Sequence, residues 1–128
     1  MSEGATVRRL LYVEDNEDNL YMLQLRFDVL GGYEVLSARD GAAGIAIAVA
    51  EQPDLILMDI NLPEVDGYTT TARIKAMPGL AAIKVIAVTA NVMKGDREKT
   101  LAAGCDGYIT KPIDVDTLPG QIARFLES

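Results

Sequence analysis

Five short apolar segments, each followed by a stretch with helical character, constrain the fold of this chain more than any other feature of its sequence. They are RLLYV (9–13), YEVLSA (33–38), DLILM (54–58), IKVIAVT (83–89) and GYIT (107–110). Their apolar residues are mostly continuous rather than alternating, which is typical of parallel strands buried on both faces. Right-handed crossovers between such strands favour a doubly wound α/β structure, with a parallel sheet flanked by helices.

Length and composition indicate one soluble domain spanning residues 1–128. The chain has 128 residues and is 49% hydrophobic, enough for a single core. Its apolar runs are too short to cross a bilayer, and MSEGATVRRL lacks the apolar centre of a signal peptide. The single cysteine, Cys105, excludes an internal disulfide and suits a reducing compartment. We therefore expect a cytoplasmic protein with no membrane association.

The charge balance and the lack of histidine narrow the chemistry. The net charge of −7, from 19 acids and 12 bases, argues against a nucleic-acid-binding surface. The chain contains no histidine, which removes the commonest general base, metal ligand and phosphoryl carrier. Any reaction at this protein must use carboxylates, hydroxyls and lysine.

Polar residues stand at the carboxyl ends of four of the predicted strands. Glu14 and Asp15 follow the first strand, Asp59 the third, Thr89 ends the fourth and Lys111 follows the fifth. In doubly wound folds the ligand sits beyond this edge of the sheet. Each residue alone has an ordinary explanation as a turn former, a strand former or a surface charge. Together they predict one site.

The predicted cluster has the composition of a magnesium-dependent phosphoryl acceptor. Two carboxylates about 4 Å apart repel each other by about 4 kcal/mol at an effective dielectric of about 20, and a single lysine does not balance three of them. A hard divalent cation with oxygen ligands does, which favours Mg²⁺. A carboxylate can attack phosphorus to form an aspartyl-phosphate. Since no glycine-rich phosphate loop is present, the donor is not expected to be a bound nucleotide.

The segments LYVEDNEDN, DLILMDINLPEVDG, VIAVTAN and GYITKPI resemble the motifs of bacterial response-regulator receiver domains. They occur in the order and at the spacings usual for that family, from about Leu10 to Leu126. Single-domain receivers of the DivK type are the most similar, and receivers attached to hybrid histidine kinases are also similar. The resemblance implies a flavodoxin-like fold, with five parallel strands in the order 2-1-3-4-5 flanked by five helices.

The resemblance also implies roles for the residues at the predicted site. Asp59 would be the phosphoacceptor, and Glu14 and Asp15 would be the acidic pair that holds Mg²⁺. Asp59 itself and the backbone carbonyl of Asn61 would complete the protein ligands. Asn61 and Asn91 occupy the two positions that modulate autodephosphorylation in this family.

Three further residues would couple phosphorylation to a conformational change. Thr89 would be the switch hydroxyl that moves to the phosphoryl group, and Lys111 its ion-pair partner, with a cis peptide bond before Pro112. Tyr108 would be the aromatic residue that turns inward when Thr89 moves. Simple core packing is the alternative for Tyr108, because aromatic residues near strands usually have that role.

Two helices carry less regular patterns. At 100° per residue the first helix has two apolar sides. One side comprises Leu20, Leu23, Phe27 and Leu30, and the other Tyr21, Met22, Leu25 and Val29. The first side suits the core. For Met22 and Leu25 the hypothesis is a docking patch for a helical bundle, and the alternative is packing against helix five.

Helix five is expected near Val115, but Pro119 and Gly120 favour a later start with Thr117 as cap, or a weakened helix.

The sequence thus predicts a free-standing receiver that takes a phosphoryl group from a histidine kinase or a histidine phosphotransfer protein. It would catalyse its own phosphorylation and dephosphorylation without being an enzyme for another substrate. The signal would pass to a downstream protein target, and the chain would be a monomer or weak dimer. One alternative is a phosphorylation-independent adaptor with the same fold. A haloacid-dehalogenase-like phosphatase is less favoured, because it requires a second aspartate where Asn61 stands.

Overall fold

The five predicted strands and five helices are all present in the computed structural model, which describes residues 7–90 and 94–127, without the side chains of residues 94–96. The strands are β1 (Arg8–Val13), β2 (Tyr33–Ala38), β3 (Leu55–Asp59), β4 (Lys84–Thr89) and β5 (Gly107–Thr110). The helices are α1 (Glu17–Leu30), α2 (Gly41–Glu51), α3 (Gly67–Lys75), α4 (Lys94–Ala102) and α5 (Leu118–Glu127). None of the helices within these ranges is both long and apolar enough to cross a membrane.

The strands form one parallel sheet in the order β2-β1-β3-β4-β5, as the resemblance to receiver domains implies. In the register, Val13 pairs with Met58, Asp59 with Val88, and Thr89 with Thr110. The chain order reverses between β1 and β3, so the carboxyl ends of these two strands lie side by side. This is the switch point at which doubly wound sheets bind their ligands.

The two faces of the sheet are covered by separate apolar layers. Alternate residues of a strand point to opposite faces, and Leu10 and Tyr12 enter one layer while Leu11 and Val13 enter the other. The first layer includes Leu20, Leu23 and Phe27 of α1 and Leu118 and Ile122 of α5. The second includes Ala48 of α2 and Ile74 of α3. Burial on both faces explains why the strands are continuously apolar.

Helix α5 begins at Leu118, directly after Thr117, which is the later start that Pro119 and Gly120 favour and not a start near Val115. Residues 114–117 form a turn instead, in which the backbone N–H groups of Thr117 and Leu118 donate to the carbonyl of Asp114. The carbonyl of Thr117 accepts the first helical bond, from Gln121, at 3.2 Å. Pro119 then falls in the first turn, where its missing N–H has no helical partner to lose.

Helix α1 is buried along the predicted side, with one exception. Its N-cap is Asn16, whose side chain accepts the Asn19 N–H at 2.9 Å. The expectation that Leu30 joins the core was wrong, since its side chain is 45% exposed. Leu30 is the last residue of the helix, and the chain turns away immediately after it at Gly31, where φ is 79°.

Candidate functional site

Asp59 is the last residue of β3 and is only 1% exposed. All five residues of the strand are buried, so packing on both faces fixes the position of this carboxylate. Its Oδ1 accepts hydrogen bonds from the backbone N–H of Asn61 at 3.1 Å and from the ammonium of Lys111 at 3.0 Å. The structure thus presents a buried, oriented carboxylate at the edge of the sheet.

Three carboxylates meet at this edge. One oxygen each of Glu14, Asp15 and Asp59 lies within 4.8 Å of the others. Glu14 is 1% exposed because it continues the line of β1 into the interior, whereas Asp15, the next residue, is exposed. The adjacency of β1 and β3 therefore brings together acids that are about 45 positions apart in the chain.

Lys111 links the two buried acids. Its ammonium lies 3.0 Å from Asp59 Oδ1 and 3.4 Å from Glu14 Oε1. Its backbone N–H donates to the carbonyl of Thr89 at 2.8 Å, which extends the pairing of β4 and β5 beyond the strands. The Lys111–Pro112 peptide bond is cis.

The protonation of the two buried acids differs. Burial, together with a hydrogen bond shared with Glu14, raises the pKa of Asp59 to about 6. Burial also acts to raise the pKa of Glu14, but hydrogen bonds with Asp59 and Tyr12 and the charge of Lys111 outweigh it, so that this pKa is lowered. Asp59 is therefore harder to ionise than an ordinary aspartate, and Glu14 is easier to ionise than an ordinary glutamate.

The donor set of the cluster fits a magnesium ion. Lys111 supplies one positive charge to a cluster with two buried acids and one exposed acid. A divalent cation would balance the remaining charge, and carboxylate oxygens with an open side toward solvent match the ligands that Mg²⁺ prefers. Asp15 and Asn61 are both exposed, so water can enter the cluster from their side and complete the coordination of the ion.

Thr89 and Tyr108 lie on the two strands beyond Asp59. Thr89 is the last residue of β4 and is 5% exposed. Tyr108, on β5, is partly buried and packs against the layer that contains Ile74. Its hydroxyl accepts a hydrogen bond from Arg97 Nη2 at 2.9 Å, and the Arg97 guanidinium carbon lies 5.5 Å from the ring centroid. Tyr108 thus contacts both the core and the surface of α4.

Of the two amides expected near the site, one lies among the described residues. Asn61 is exposed, next to Asp59, and only its backbone N–H contacts that carboxylate in the structure. Asn91 lies outside the described residues.

Gly67 is a site residue that the sequence did not reveal. A Cβ at this position would lie 2.3 Å from the carbonyl oxygen of Asp59 and 2.8 Å from the Cα of Ile60. The Gly67 N–H donates to the Ile60 carbonyl at 3.0 Å, so the start of α3 closes directly onto the end of β3. The only sequence signal is a glycine directly after Asp66, the N-cap of α3.

Tyr12 was also missed, although a simple periodicity could have found it. Residues two apart on a strand share a face, and Tyr12 is two positions before Glu14. The Tyr12 hydroxyl donates to Glu14 Oε1 at 2.9 Å, and Asn19 Nδ2 donates to the same oxygen at 3.2 Å. The available signal was the hydroxyl of Tyr12, which lies among apolar residues and two positions before Glu14.

A cavity of about 360 Å³ opens beside the acidic cluster, between α1 and the segment after β5. Its lining includes Tyr12, Met22, Lys111, Ile113 and Val115. Met22 is 52% exposed and therefore lies at the rim of this cavity. The other apolar residues of that side of α1, namely Tyr21, Leu25 and Val29, are 64%, 49% and 72% exposed. This side faces solvent.

Comparison with known proteins gives consistent matches. The family model "Response regulator receiver domain" matches residues 10–123. The polar-differentiation response regulator DivK of Brucella anthropi is 42% identical over 119 residues, covering 93% of this chain and 96% of that protein.

Two solved receiver domains of histidine kinases are similar in sequence and structure. That of a Pseudomonas aeruginosa sensor histidine kinase, solved with a magnesium ion coordinated in its active-site cleft, is 36% identical, with a TM-score of 0.85 and coverage of 94% of this chain and 98% of that chain. That of a Syntrophus aciditrophicus signal transduction histidine kinase is 31% identical, with a TM-score of 0.84 and coverage of 94% and 90%. With its 2-1-3-4-5 sheet, its acidic cluster and these matches, the chain belongs to the response regulator receiver domain family.

Proposed function

We propose that Asp59 accepts a phosphoryl group from the phosphohistidine of a histidine kinase or a histidine phosphotransfer protein. The observation that carries this proposal is the buried Asp59 carboxylate, held at one oxygen by Asn61 and Lys111 and flanked by two further acids. Membership of the receiver family supports it, and both similar receiver structures come from histidine kinases.

Glu14, Asp15, Asp59 and the backbone carbonyl of Asn61 are the residues that would hold Mg²⁺. When bound, the ion would neutralise negative charge on the phosphoryl oxygens. The magnesium ion in the cleft of the Pseudomonas receiver supports the same metal here.

In the transfer, a carboxylate oxygen of Asp59 forms a bond to phosphorus while the phosphorus–nitrogen bond of the donor breaks. The electron pair of that bond leaves with the imidazole nitrogen. The attacking group is the carboxylate form of Asp59, which predominates above a pH of about 6 because the pKa is raised only that far. Lys111, already 3.0 Å from Asp59, is placed to stabilise the charge on the transferred group.

The product differs from the unmodified site mainly in charge. The phosphoryl group carries about −1.5 to −2 charges and replaces the single negative charge of the carboxylate, and its oxygens would attract the hydroxyl of Thr89 and the ammonium of Lys111. Movement of Thr89 would free space for Tyr108 to leave Arg97 and turn inward, shifting a pre-existing equilibrium. Asn61 and Asn91 would tune how quickly water removes the phosphoryl group. The altered surface would then act on a downstream protein in the cytoplasm, without catalysis on another substrate.

Met22 and Leu25 form our proposed docking patch for the helical bundle of the phosphoryl donor. Both are about half exposed, and Met22 lies at the rim of the cavity next to Lys111. A partner helix on this patch would therefore lie close to Asp59. Changing both residues to serine should reduce donor affinity and the rate of transfer from the partner, yet leave phosphorylation by a small phosphodonor unchanged. Equal transfer from the partner would contradict the patch, and Leu101→Ser, a change of a 62% exposed leucine on α4, is the control.

The central proposal is tested with a small phosphodonor, Mg²⁺ and intact mass spectrometry. The wild type should gain one phosphoryl group, and Asp59→Asn none. Asp66→Asn is the matched control, because asparagine also serves as an N-cap and the change lies close to the site. No gain by the wild type, or an equal gain by Asp59→Asn, would leave the phosphorylation-independent adaptor as the better description.

A further inference from the structure

We infer that Tyr12 is a positioning residue for the magnesium site, whose hydroxyl holds one oxygen of Glu14 and so directs the other oxygen to the cation. The inference deepens the proposed function and rests on it. It concerns a residue that makes no contact with the phosphoryl group and acts only through Glu14.

The two oxygens of Glu14 have different surroundings. Oε1 accepts from the Tyr12 hydroxyl at 2.9 Å and from Asn19 Nδ2 at 3.2 Å, and the Lys111 ammonium lies 3.4 Å away. Apart from the hydrogen bond between Glu14 and Asp59, which requires a proton that a cation would displace, the contact described for Oε2 is one bond accepted from the backbone N–H of Asn16 at 3.3 Å. Most of the donors around Glu14 thus lie at Oε1. Oε2 is the oxygen that can still bind a metal ion, or a water molecule coordinated to that ion.

The packing of Tyr12 makes its hydroxyl a fixed donor. The side chain is 1% exposed and belongs to the apolar layer that also contains Leu23 and Leu57. A ring held on all sides cannot turn its hydroxyl toward bulk water, and a buried hydroxyl requires a partner. Glu14, two positions later on the same side of β1, is that partner. Residues that hold a ligand of a metal in this way commonly influence affinity for the metal.

Tyr12→Phe is the test, because it removes the hydroxyl and keeps the ring. Calorimetric titration of the unphosphorylated protein with Mg²⁺ should show a dissociation constant raised by about ten-fold, the lower end of such effects. Tyr33→Phe is the matched control. Tyr33 packs against the same apolar layer but lies at the first residue of β2, paired with Arg8 at the opposite edge of the sheet. The affinity of the Tyr33→Phe variant for Mg²⁺ should equal that of the wild type.

A kinetic readout separates metal binding from chemistry. With a small phosphodonor, Tyr12→Phe should need about ten times more Mg²⁺ for half-maximal rate, whereas the rate at saturating Mg²⁺ should equal that of the wild type. An unchanged Mg²⁺ requirement would overturn the inference and leave Tyr12 as a core residue. A lowered maximal rate with unchanged affinity would also overturn it.

The wild type distinguishes failure of this inference from failure of the proposed function. If the wild type neither binds Mg²⁺ nor gains a phosphoryl group, the proposed function fails. If it does both, and Tyr12→Phe binds Mg²⁺ equally well, only the role of Tyr12 fails. Thermal unfolding in the presence of a chelator verifies that each variant is folded before either titration.

Discussion

The two edges of the sheet both gather acidic side chains, but the acids at the two edges have different partners. At the carboxyl edge, Glu14, Asp15 and Asp59 share the ammonium of Lys111. At the amino edge, acids pair with cations and backbone N–H groups that lie directly beside them. Acids outnumber cations at both edges, but the acids of the amino edge are exposed and solvent screens their charge, whereas Glu14 and Asp59 are buried and their negative charge is left for a ligand to balance.

Arg9 organises one half of the amino edge. Its guanidinium forms ion pairs with Glu34 of β2, at 3.0 Å, and with Glu51 at the end of α2. Its backbone N–H donates to Asp54 Oδ2 at 2.7 Å, directly before β3. One arginine thus connects the beginnings of three neighbouring strands and the end of a helix.

Lys75 and Asp106 organise the other half. The Lys75 ammonium donates to Asp106 Oδ2 at 2.8 Å and to the carbonyl of Ile83 at 2.7 Å. The same carboxylate oxygen accepts the backbone N–H of Val85 at 2.9 Å. Removing an acid from the amino edge should therefore destabilise the protein. Removing one from the carboxyl edge should instead relieve the repulsion between neighbouring carboxylates.

Addition of Mg²⁺ should give the largest difference between the edges. A ligand at a hundred-fold excess over its dissociation constant stabilises the folded state by about 2.7 kcal/mol. We expect this gain in the unfolding free energy of the wild type and of Asp106→Ala, but not of Asp15→Asn. Urea unfolding with Mg²⁺ or with chelator measures it. An equal gain in Asp15→Asn would place the ion elsewhere.

Asp59→Asn should stabilise the metal-free protein at pH 7.5. The pKa of Asp59 is raised to about 6 in the folded protein, so Asp59 ionises less readily there than in the unfolded chain. Above that pH the buried carboxylate therefore lowers the stability of the folded state. At about 1.4 kcal/mol per pKa unit, and allowing for the lost contact with Lys111, the gain should be about 2 kcal/mol. Chelator is present throughout the unfolding measurement.

The pH dependence of the gain in stability of Asp59→Asn shows whether the ionisation of Asp59 causes it. Because the pKa of Asp59 is raised, its contribution to stability is complete below its ordinary pKa and is lost as the pH rises through about 6. The difference between Asp59→Asn and wild type should therefore shrink as the pH falls from 7.5 toward 4. A constant difference across this range would mean that packing, not ionisation, is responsible.

Asp106→Ala should have the opposite sign. It leaves the Val85 N–H and the Lys75 ammonium without the carboxylate that accepts both, and should lower the unfolding free energy by about 1.5 kcal/mol. Asp28→Ala, which removes an exposed acid from α1, is the control. A neutral effect of Asp106→Ala would show that water replaces this acceptor and that the amino edge is not a stabilising network.

Arg9→Met should have the smallest effect of the series. The charged partners of Arg9 are about half exposed, with side-chain exposures of 54% for Glu34 and 46% for Glu51, so solvent screens these pairs. The loss of stability should be smaller than for Asp106→Ala and should decrease as NaCl is raised. A large loss that does not depend on salt would mean that the aliphatic part of Arg9, rather than its charge, holds this edge together.

The sequence predicted the carboxyl edge well because parallel strands end at the same edge. Once five apolar runs are recognised as parallel strands, Glu14, Asp59 and Lys111 are expected at the same edge of the sheet, and the strand order implied by the resemblance to receiver domains places β1 beside β3. The start of α5 was less certain from sequence, since Pro119 is compatible with more than one starting residue and only the turn at Asp114 selected Leu118. Leu30 was misassigned because helical periodicity does not show where the apolar layer beneath a helix ends.

The sequence by itself determined the class of fold, the order of its elements and the identity of the charged groups at the carboxyl edge, because strand periodicity and strand ends are local properties. The tertiary structure alone decided which partner each group has. Arg9 and Glu51 are 42 positions apart, and no local rule joins them. The same is true of Gly67 closing onto Asp59 and of the direction of the Tyr12 hydroxyl, because packing from distant elements fixes both.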